Sequence, residues 1–262
     1  MNATLDRLVN VLDRFDRLAI AVSGGVDSMT LAHVAATHSR AATTMYHAAS
    51  PAVPAAARER VEAHAIRHGW RLVVVDANEL ADERYRANPV DRCYYCKTNL
   101  YQRIAQATSD TIASGTNRDD LSDFRPGLRA AAERNVVHPY VEADIAKVDI
   151  YAIAQSLGLA DLERLPAQPC LSSRVETGIA IDPVDLTFID AVETRLARDL
   201  GSDATLRCRV TNDGIVIEIG DAANEATAHE IGRTACLAAG RVFAGVRPYA
   251  RGAAFLRKMS HA

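Results

Sequence analysis

The 262-residue chain is 48% hydrophobic and 24% charged, and 33 Asp and Glu against 30 Lys and Arg give a formal net charge of −3. That balance excludes an intrinsically disordered chain and argues against a dedicated nucleic-acid binder, whose affinity rests on a basic excess. No apolar run approaches the roughly 20 residues of a membrane-spanning helix. Residues 1–7 carry an early acid, Asp6, and no apolar segment, so no secretory signal is expected and the cytoplasm is the default.

Along the chain, Leu18-Ala19-Ile20-Ala21-Val22 reads as a buried strand, followed by a Gly-Gly turn and a helix over residues 28–38. Residues 43–46 form a second strand. Pro54 opens a helix over 55–68, which Gly69 ends. Leu72-Val73-Val74-Val75 is the clearest strand. A helix over 97–107, a strand at 111–114, a helix over 127–134, a short strand at Val136-Val137 and a helix over 147–157 follow. This alternation predicts a doubly wound parallel α/β sheet, with ligands bound beyond the carboxyl ends of its strands. After Leu165-Pro166-Ala167-Gln168-Pro169 the pattern changes to a helix over 183–200, two strands about a turn, a helix over 225–239 and a strand near 241–246. The expected domains are residues 1–168 and a smaller α+β unit, residues 169–262.

Ser23-Gly24-Gly25-Val26-Asp27-Ser28 lies between an apolar strand and a helix. Two glycines let the backbone approach an anion closely, and amides at a helix start favour phosphate. Ser23 and Ser28 add hydroxyls, while Asp27 suits Mg²⁺ or a helix cap. The loop lacks the Gly-Lys-Ser/Thr of a Walker A site. Set after a strand, it resembles the pyrophosphate loop of the PP-loop ATP pyrophosphatases, which have an adenine nucleotide alpha hydrolase-like fold.

Further motifs narrow the resemblance. Ser50-Pro51, Asn88-Pro89, Arg92-Cys93-Tyr94-Tyr95-Cys96-Lys97, Gly115-Thr116-Asn117-Arg118-Asp119-Asp120, Arg125-Pro126-Gly127 and Pro169-Cys170-Leu171-Ser172-Ser173-Arg174 occur in that order. Together, over residues 18–220, they resemble the LarE family of ATP-dependent sacrificial sulfur transferases. The resemblance implies adenylation of pyridinium-3,5-biscarboxylic acid mononucleotide and its conversion to a thiocarboxylate, a step toward the nickel-pincer cofactor of lactate racemase. It implies ATP and Mg²⁺ at Ser23, Gly24, Gly25, Asp27, Ser28, Ser50, Gly115, Asn117 and Asp120. It also implies a small-molecule nucleotide substrate, no nucleic-acid or membrane partner, a homo-oligomer and a sulfide donor. His138-Pro139-Tyr140 and Val175-Glu176-Thr177 depart from the family's usual residues on the substrate side.

Of the five cysteines, Cys93 and Cys96 form a Cys-x-x-Cys pair at a helix start, where the helix dipole lowers thiol pKa. With Cys170 they supply three thiolates, which would leave one iron of a [4Fe-4S] cluster open to carry sulfide. The resemblance offers a second route, in which Cys170 attacks the adenylate and loses its own sulfur. The pair favours the cluster, with a zinc clip or a redox pair as the structural alternative. Cys208 and Cys236 read as core thiols. Lys97 and Arg174 flank the proposed sulfur site and suit the charge of ATP or of the adenylate.

Strand alternation puts Arg207 and Arg209 on one face, and Asp213-Gly214 reads as a hairpin turn. That turn pairs Arg209 with Glu218, Val210 with Ile217 and Cys208 with Ile219. The face is either an ordinary solvated ion-pair surface or, as the resemblance implies, the seat of the acceptor nucleotide. A tRNA thiolase or an amidotransferase on the same fold and a non-catalytic nucleotide-binding protein are the rival readings. The first lacks a basic surface, the second lacks an ammonia source, and the third leaves Cys93, Cys96 and Cys170 without a role.

Overall fold

The structure is a computed structural model and describes residues 3–166, 168–201 and 204–250. Its elements are α1 (Ala3–Leu12), β1 (Arg17–Val22), α2 (Val26–His38), β2 (Ala42–Ala49), α3 (Ala55–His68), β3 (Leu72–Asp76), α4 (Glu83–Arg86), α5 (Arg92–Ala107) and β4 (Thr111–Ser114). They continue with α6 (Pro126–Glu133), α7 (Pro139–Glu142), α8 (Lys147–Ser156), α9 (Pro183–Leu200), β5 (Leu206–Thr211), β6 (Gly214–Ile219), α10 (Glu225–Ala238) and β7 (Phe243–Pro248). Two compact units result, Met1–Glu79 with Cys93–Gln168 and Leu80–Arg92 with Pro169–Ala262. No described helix is long and apolar enough to cross a membrane.

The first unit holds a four-stranded sheet of order β3-β2-β1-β4, parallel at every step. Strand β1 shows why its sequence is apolar throughout. Leu18, Ile20 and Val22 pack with Leu8 of α1, Met29 of α2 and Ile153 of α8, while Ala19 and Ala21 pack with Leu100 and Ile104 of α5. Successive side chains point to opposite faces of a strand, so one covered on both sides reads as an unbroken apolar run. Each fully buried Leu or Ile contributes roughly 1.5–3 kcal/mol. Helix α1 was not expected, although Leu5, Leu8 and Leu12 recur at helical spacing and all three are buried. Helix α5 starts at Arg92, five residues before the expected 97, and Val136-Val137 contributes a single parallel bridge, Ala113 to Val137, rather than a strand.

The second unit holds a three-stranded mixed sheet in which β5 and β6 are antiparallel and β6 and β7 parallel. The hairpin register differs from the expected one by two residues: Thr211 pairs with Gly214, Arg207 with Glu218 and Cys208 with Ile217. The loop is Asn212-Asp213, because Gly214 is already a strand residue. A Cβ there would lie 2.7 Å from the Val242 carbonyl oxygen. Thr211 Oγ1 closes the loop by donating to the Gly214 carbonyl (2.8 Å) and accepting the Asp213 N–H (3.3 Å). A shift of two preserves the faces, so Arg207, Arg209 and Glu218 still share one.

Segment Leu80–Arg92 joins this unit through Asn88, which adopts φ 51°, a left-handed conformation that Asn tolerates. Its Nδ2 donates to the carbonyls of Glu176 and Ile179, both at 2.9 Å, and its own carbonyl accepts the Gly178 N–H at 3.0 Å.

Candidate active site

Where β1 ends at Val22, the chain turns through residues 23–28 into α2. The Ser23 N–H donates to Ser28 Oγ at 3.0 Å, and Ser28 Oγ donates to the Gly25 carbonyl at 3.1 Å. Gly25 caps α2 without any side-chain hydrogen bond, leaving the first helical amides available to an anion. Gly24 has φ +83°, and a Cβ on it would sit 2.4 Å from the Ala57 carbonyl oxygen. A Cβ on Gly115, just past β4, would sit 2.8 Å from the Ser28 nitrogen. Both glycines are required by close backbone approach. Arg60 Nη1 donates to the Gly24 carbonyl at 2.6 Å and to Gln168 Oε1 at 3.3 Å. The cradle, its amides and a neighbouring carboxylate fit a pyrophosphate and Mg²⁺.

That carboxylate belongs to Asp27. Lys147 Nζ donates to its two oxygens at 2.8 and 2.7 Å, and the buried Tyr140 hydroxyl donates to its backbone carbonyl at 3.0 Å. Burial holds the Asp27 carboxyl above the usual carboxylate value, with Lys147 pulling against it and Asp120 adding to the rise. Burial also pushes the Tyr140 hydroxyl well up.

The loop after β4 is built on caps. Asn117 Oδ1 accepts the Asp119 N–H at 3.0 Å, and Asp120 Oδ2 accepts the Asn117 N–H at 3.1 Å. Asp120 also pairs with Arg125 at 2.6 Å, and Asp119 accepts the Lys147 N–H at 2.9 Å. Ser50, just past β2, accepts the Ala52 N–H at 3.0 Å and donates to the buried Glu79. Of the residues expected at ATP, 23–28, Ser50, Gly115, Asn117 and Asp120 thus all lie beyond the carboxyl ends of β1, β2 and β4 in one unit.

Cys93 and Cys96 stand in the opening turns of α5, both half-buried. Lys97 Nζ lies 5.7 Å from the Tyr101 ring centre, and a Cβ on Gly127 would be 3.0 Å from Lys97 Cγ, so α6 lies close on this face. Cys170, also half-buried, belongs to the other unit and precedes the short helical turn Leu171–Arg174. Among the described residues no three His, Cys, Asp or Glu side chains form a group that could hold a metal ion.

Arg174 is 3% exposed, and its Nε, Nη1 and Nη2 all donate within the second unit. Nε and Nη2 grip Glu193 at 2.9 Å each, while Nη1 reaches the Pro169 carbonyl (2.8 Å), the Cys170 carbonyl (3.4 Å) and Ser173 Oγ (2.9 Å). Its guanidinium braces the Cys170 loop. Glu193 Oε1 also accepts the Cys208 N–H at 2.9 Å, tying that brace to β5. Burial pushes the Cys208 thiol well up, as befits a core residue.

On the shared strand face, Arg209 Nε donates to Glu218 Oε2 at 2.8 Å, diagonally across the ladder, and Arg209 Nη1 donates to the Ser173 carbonyl at 2.7 Å. Arg247 of β7 holds the other Glu218 oxygen at 3.0 and 2.8 Å. Glu218 is fully buried, so this face is no solvated surface. Arg207 is half-buried, donates to the Leu206 carbonyl at 2.6 Å and lies 5.6 Å from the Tyr249 ring centre. Burial, with Arg174 near it, lowers the Arg207 pKa.

Sequence reasoning missed Lys147, Arg60, Glu193 and Arg247. Only Lys147 left a signal: a cation in the first turn of a helix opposes the dipole, which marks it as serving something other than α8.

A parallel sheet with this loop between its inner strand and the following helix defines a PP-loop ATP-dependent enzyme. No family model matches the chain. It is 38% identical over 202 residues to an uncharacterized protein of Synechocystis sp., covering 76% of this chain and 75% of that one. It is 30% identical over 220 residues to the pyridinium-3,5-bisthiocarboxylic acid mononucleotide synthase of Lactiplantibacillus plantarum, covering 82% of this chain and 79% of that one. A tRNA-cytidine(32) 2-sulfurtransferase of Syntrophotalea carbinolica is 28% identical over 186 residues, 62% of this chain and 68% of its own. The chain belongs to the LarE family of pyridinium-3,5-bisthiocarboxylic acid mononucleotide synthases and is an ATP-dependent sulfurtransferase.

Proposed function

We propose that the enzyme adenylates a carboxylate of pyridinium-3,5-biscarboxylic acid mononucleotide and converts it to a thiocarboxylate. The observation that carries the nucleotide half is the glycine cradle at Gly24 and Gly115 against the uncapped start of α2. The name of one relative, a pyridinium-3,5-bisthiocarboxylic acid mononucleotide synthase, supports the acceptor. ATP lies on residues 23–28 with Ser50, Gly115, Asn117 and Asp120 around it, and Asp27 takes Mg²⁺. The acceptor carboxylate attacks the α-phosphorus, the bond to the β-phosphate oxygen breaks, and pyrophosphate leaves with that electron pair. Lys97 adds positive charge near the adenylate.

The acceptor's phosphate and free carboxylate engage Arg207 and Arg209, the latter oriented by Glu218. Sulfur comes from the Cys170 loop, with Arg174 as its brace. A [4Fe-4S] cluster on the Cys93/Cys96 pair would, when bound, supply sulfide repeatedly; the half-buried Cys170 thiol alone would supply it once. In this reading residues 1–168 bind ATP, and residues 169–262 serve substrate binding, sulfur transfer and assembly into a homo-oligomer in the cytoplasm, replenished by a sulfide donor.

The test is AMP and pyrophosphate release with ATP, Mg²⁺ and the dicarboxylate acceptor. Release that requires the acceptor and disappears in Asp27→Ala upholds the reading; acceptor-independent release, or none, overturns it. Iron and acid-labile sulfide in protein purified without oxygen separate the sulfur sources. Roughly four irons per chain, lost in Cys170→Ala, indicate the cluster, and neither element indicates the Cys170 sulfur.

A further inference from the structure

We propose that Lys147 is an internal counter-cation that exchanges with Mg²⁺ at Asp27, so that metal arrival releases the ammonium onto the pyrophosphate being expelled. The inference deepens the adenylation reading and rests on it. Lys147 Nζ holds both Asp27 oxygens at 2.8 and 2.7 Å. A carboxylate gripped in that way lacks the uncrowded, anionic oxygen that a small, reluctantly dehydrated cation demands. Mg²⁺ and an ammonium on one carboxylate repel each other, and that repulsion favours displacement of the ammonium.

The exchange leaves Lys147 well placed. Its backbone N–H is anchored on Asp119 at 2.9 Å, and its ammonium lies 5.3 Å from the Tyr151 ring centre. The backbone of Asp27 is held separately by Tyr140, so its carboxylate can change partner without moving the loop. The side chain therefore pivots from a fixed root beside residues 23–28, where phosphate oxygens replace the lost carboxylate. Negative charge grows on the bridging oxygen as the α-phosphorus bond to it breaks, and a released ammonium meets that charge. An unoccupied enzyme also avoids leaving the partly buried Asp27 carboxylate without a counter-charge.

The experiment titrates Mn²⁺ alone, by its paramagnetic signal, into wild type, Lys147→Met and Lys147→Arg, and separately measures pyrophosphate release. Lys147→Met should bind Mn²⁺ roughly tenfold or more tightly, since its competitor is gone, yet release pyrophosphate roughly 10²–10³-fold more slowly. Lys147→Arg, which retains the charge, should keep metal affinity near wild type. Unchanged or weaker Mn²⁺ binding in a folded Lys147→Met overturns the inference, as does pyrophosphate release at the wild-type rate. If wild type itself releases no pyrophosphate the adenylation reading fails, and the Mn²⁺ titration still decides the exchange at Asp27.

Discussion

The two units build their sites from opposite materials. The nucleotide cradle is backbone: amides at the start of α2, a carbonyl of Gly24 on Arg60, and glycines whose missing Cβ atoms make room. The face proposed for the acceptor is side chain: Arg209 and Glu218 buried as a pair with the exposed Arg247 on the second Glu218 oxygen, and Arg174 and Glu193 bracing the Cys170 loop. A backbone site tolerates change in most side chains and almost none at a glycine. A charge network tolerates little at any member, because removing one leaves its partner buried and uncompensated.

The sharpest break between the two is Glu218→Ala, which leaves Arg209 without its counter-charge. Urea unfolding of the full chain should show a loss of about 3–5 kcal/mol, and a loss below ~1 kcal/mol would mean that the network does not bear on stability. Gly24→Ala attacks the other unit. Its Cβ would collide with the Ala57 carbonyl, so ATP affinity should fall by roughly 10²-fold or more while the second unit's strands keep their circular dichroism. Wild-type ATP binding in that variant would contradict the cradle.

Acid sharpens the contrast from the first unit's side. His33, His64 and His68 pack together with Trp70 between α2 and α3, and His64 also meets Asp161 at 2.7 Å. Burial, aided by His68, His38 and His64, lowers the His33 pKa to about 4. The folded state therefore holds His33 neutral where the unfolded chain takes up a proton. The stability His33 permits is complete above pH ~6.5 and declines as pH falls toward 4, by about 3 kcal/mol in all. His33→Leu should flatten that decline in urea midpoints taken between pH 7.5 and 4.5, whereas a parallel decline would refute the assignment. The smallest effect belongs to α9. Its cap Asp182 accepts the Val184 N–H at 2.8 Å, so Asp182→Ala should cost about 1 kcal/mol. No comparable side chain caps α2, where a cap would occupy the phosphate's place.

The same contrast explains what was legible in the sequence. The cradle could be read because a strand, two glycines and a helix are neighbours in the chain, and β1, α3 and β3 announce themselves by apolar runs and by Pro54 and Gly69. The hairpin register slipped because Asp213-Gly214 looks like a turn until Val242 is known to press on Gly214. The Arg209–Glu218 pair survived the slip because a shift of two residues preserves faces. Lys147 meets Asp27 across 120 residues, and Arg247 meets Glu218 from a different strand, so no local pattern could join either pair. Asn88 likewise draws residues 80–92 into the second unit by hydrogen bonds that only the folded chain displays.

The most direct test of the account follows an oxygen atom. If the acceptor carboxylate attacks the α-phosphorus and sulfur then expels AMP, an acceptor labelled with heavy oxygen in its carboxylates must deliver one labelled oxygen to AMP and none to pyrophosphate. Mass spectrometry of the two products reads this in a single turnover. Label in AMP, matched by one sulfur gained in the acceptor, is the predicted result; unlabelled AMP, or label in pyrophosphate, would contradict adenylation at the Ser23–Ser28 loop as the driving step.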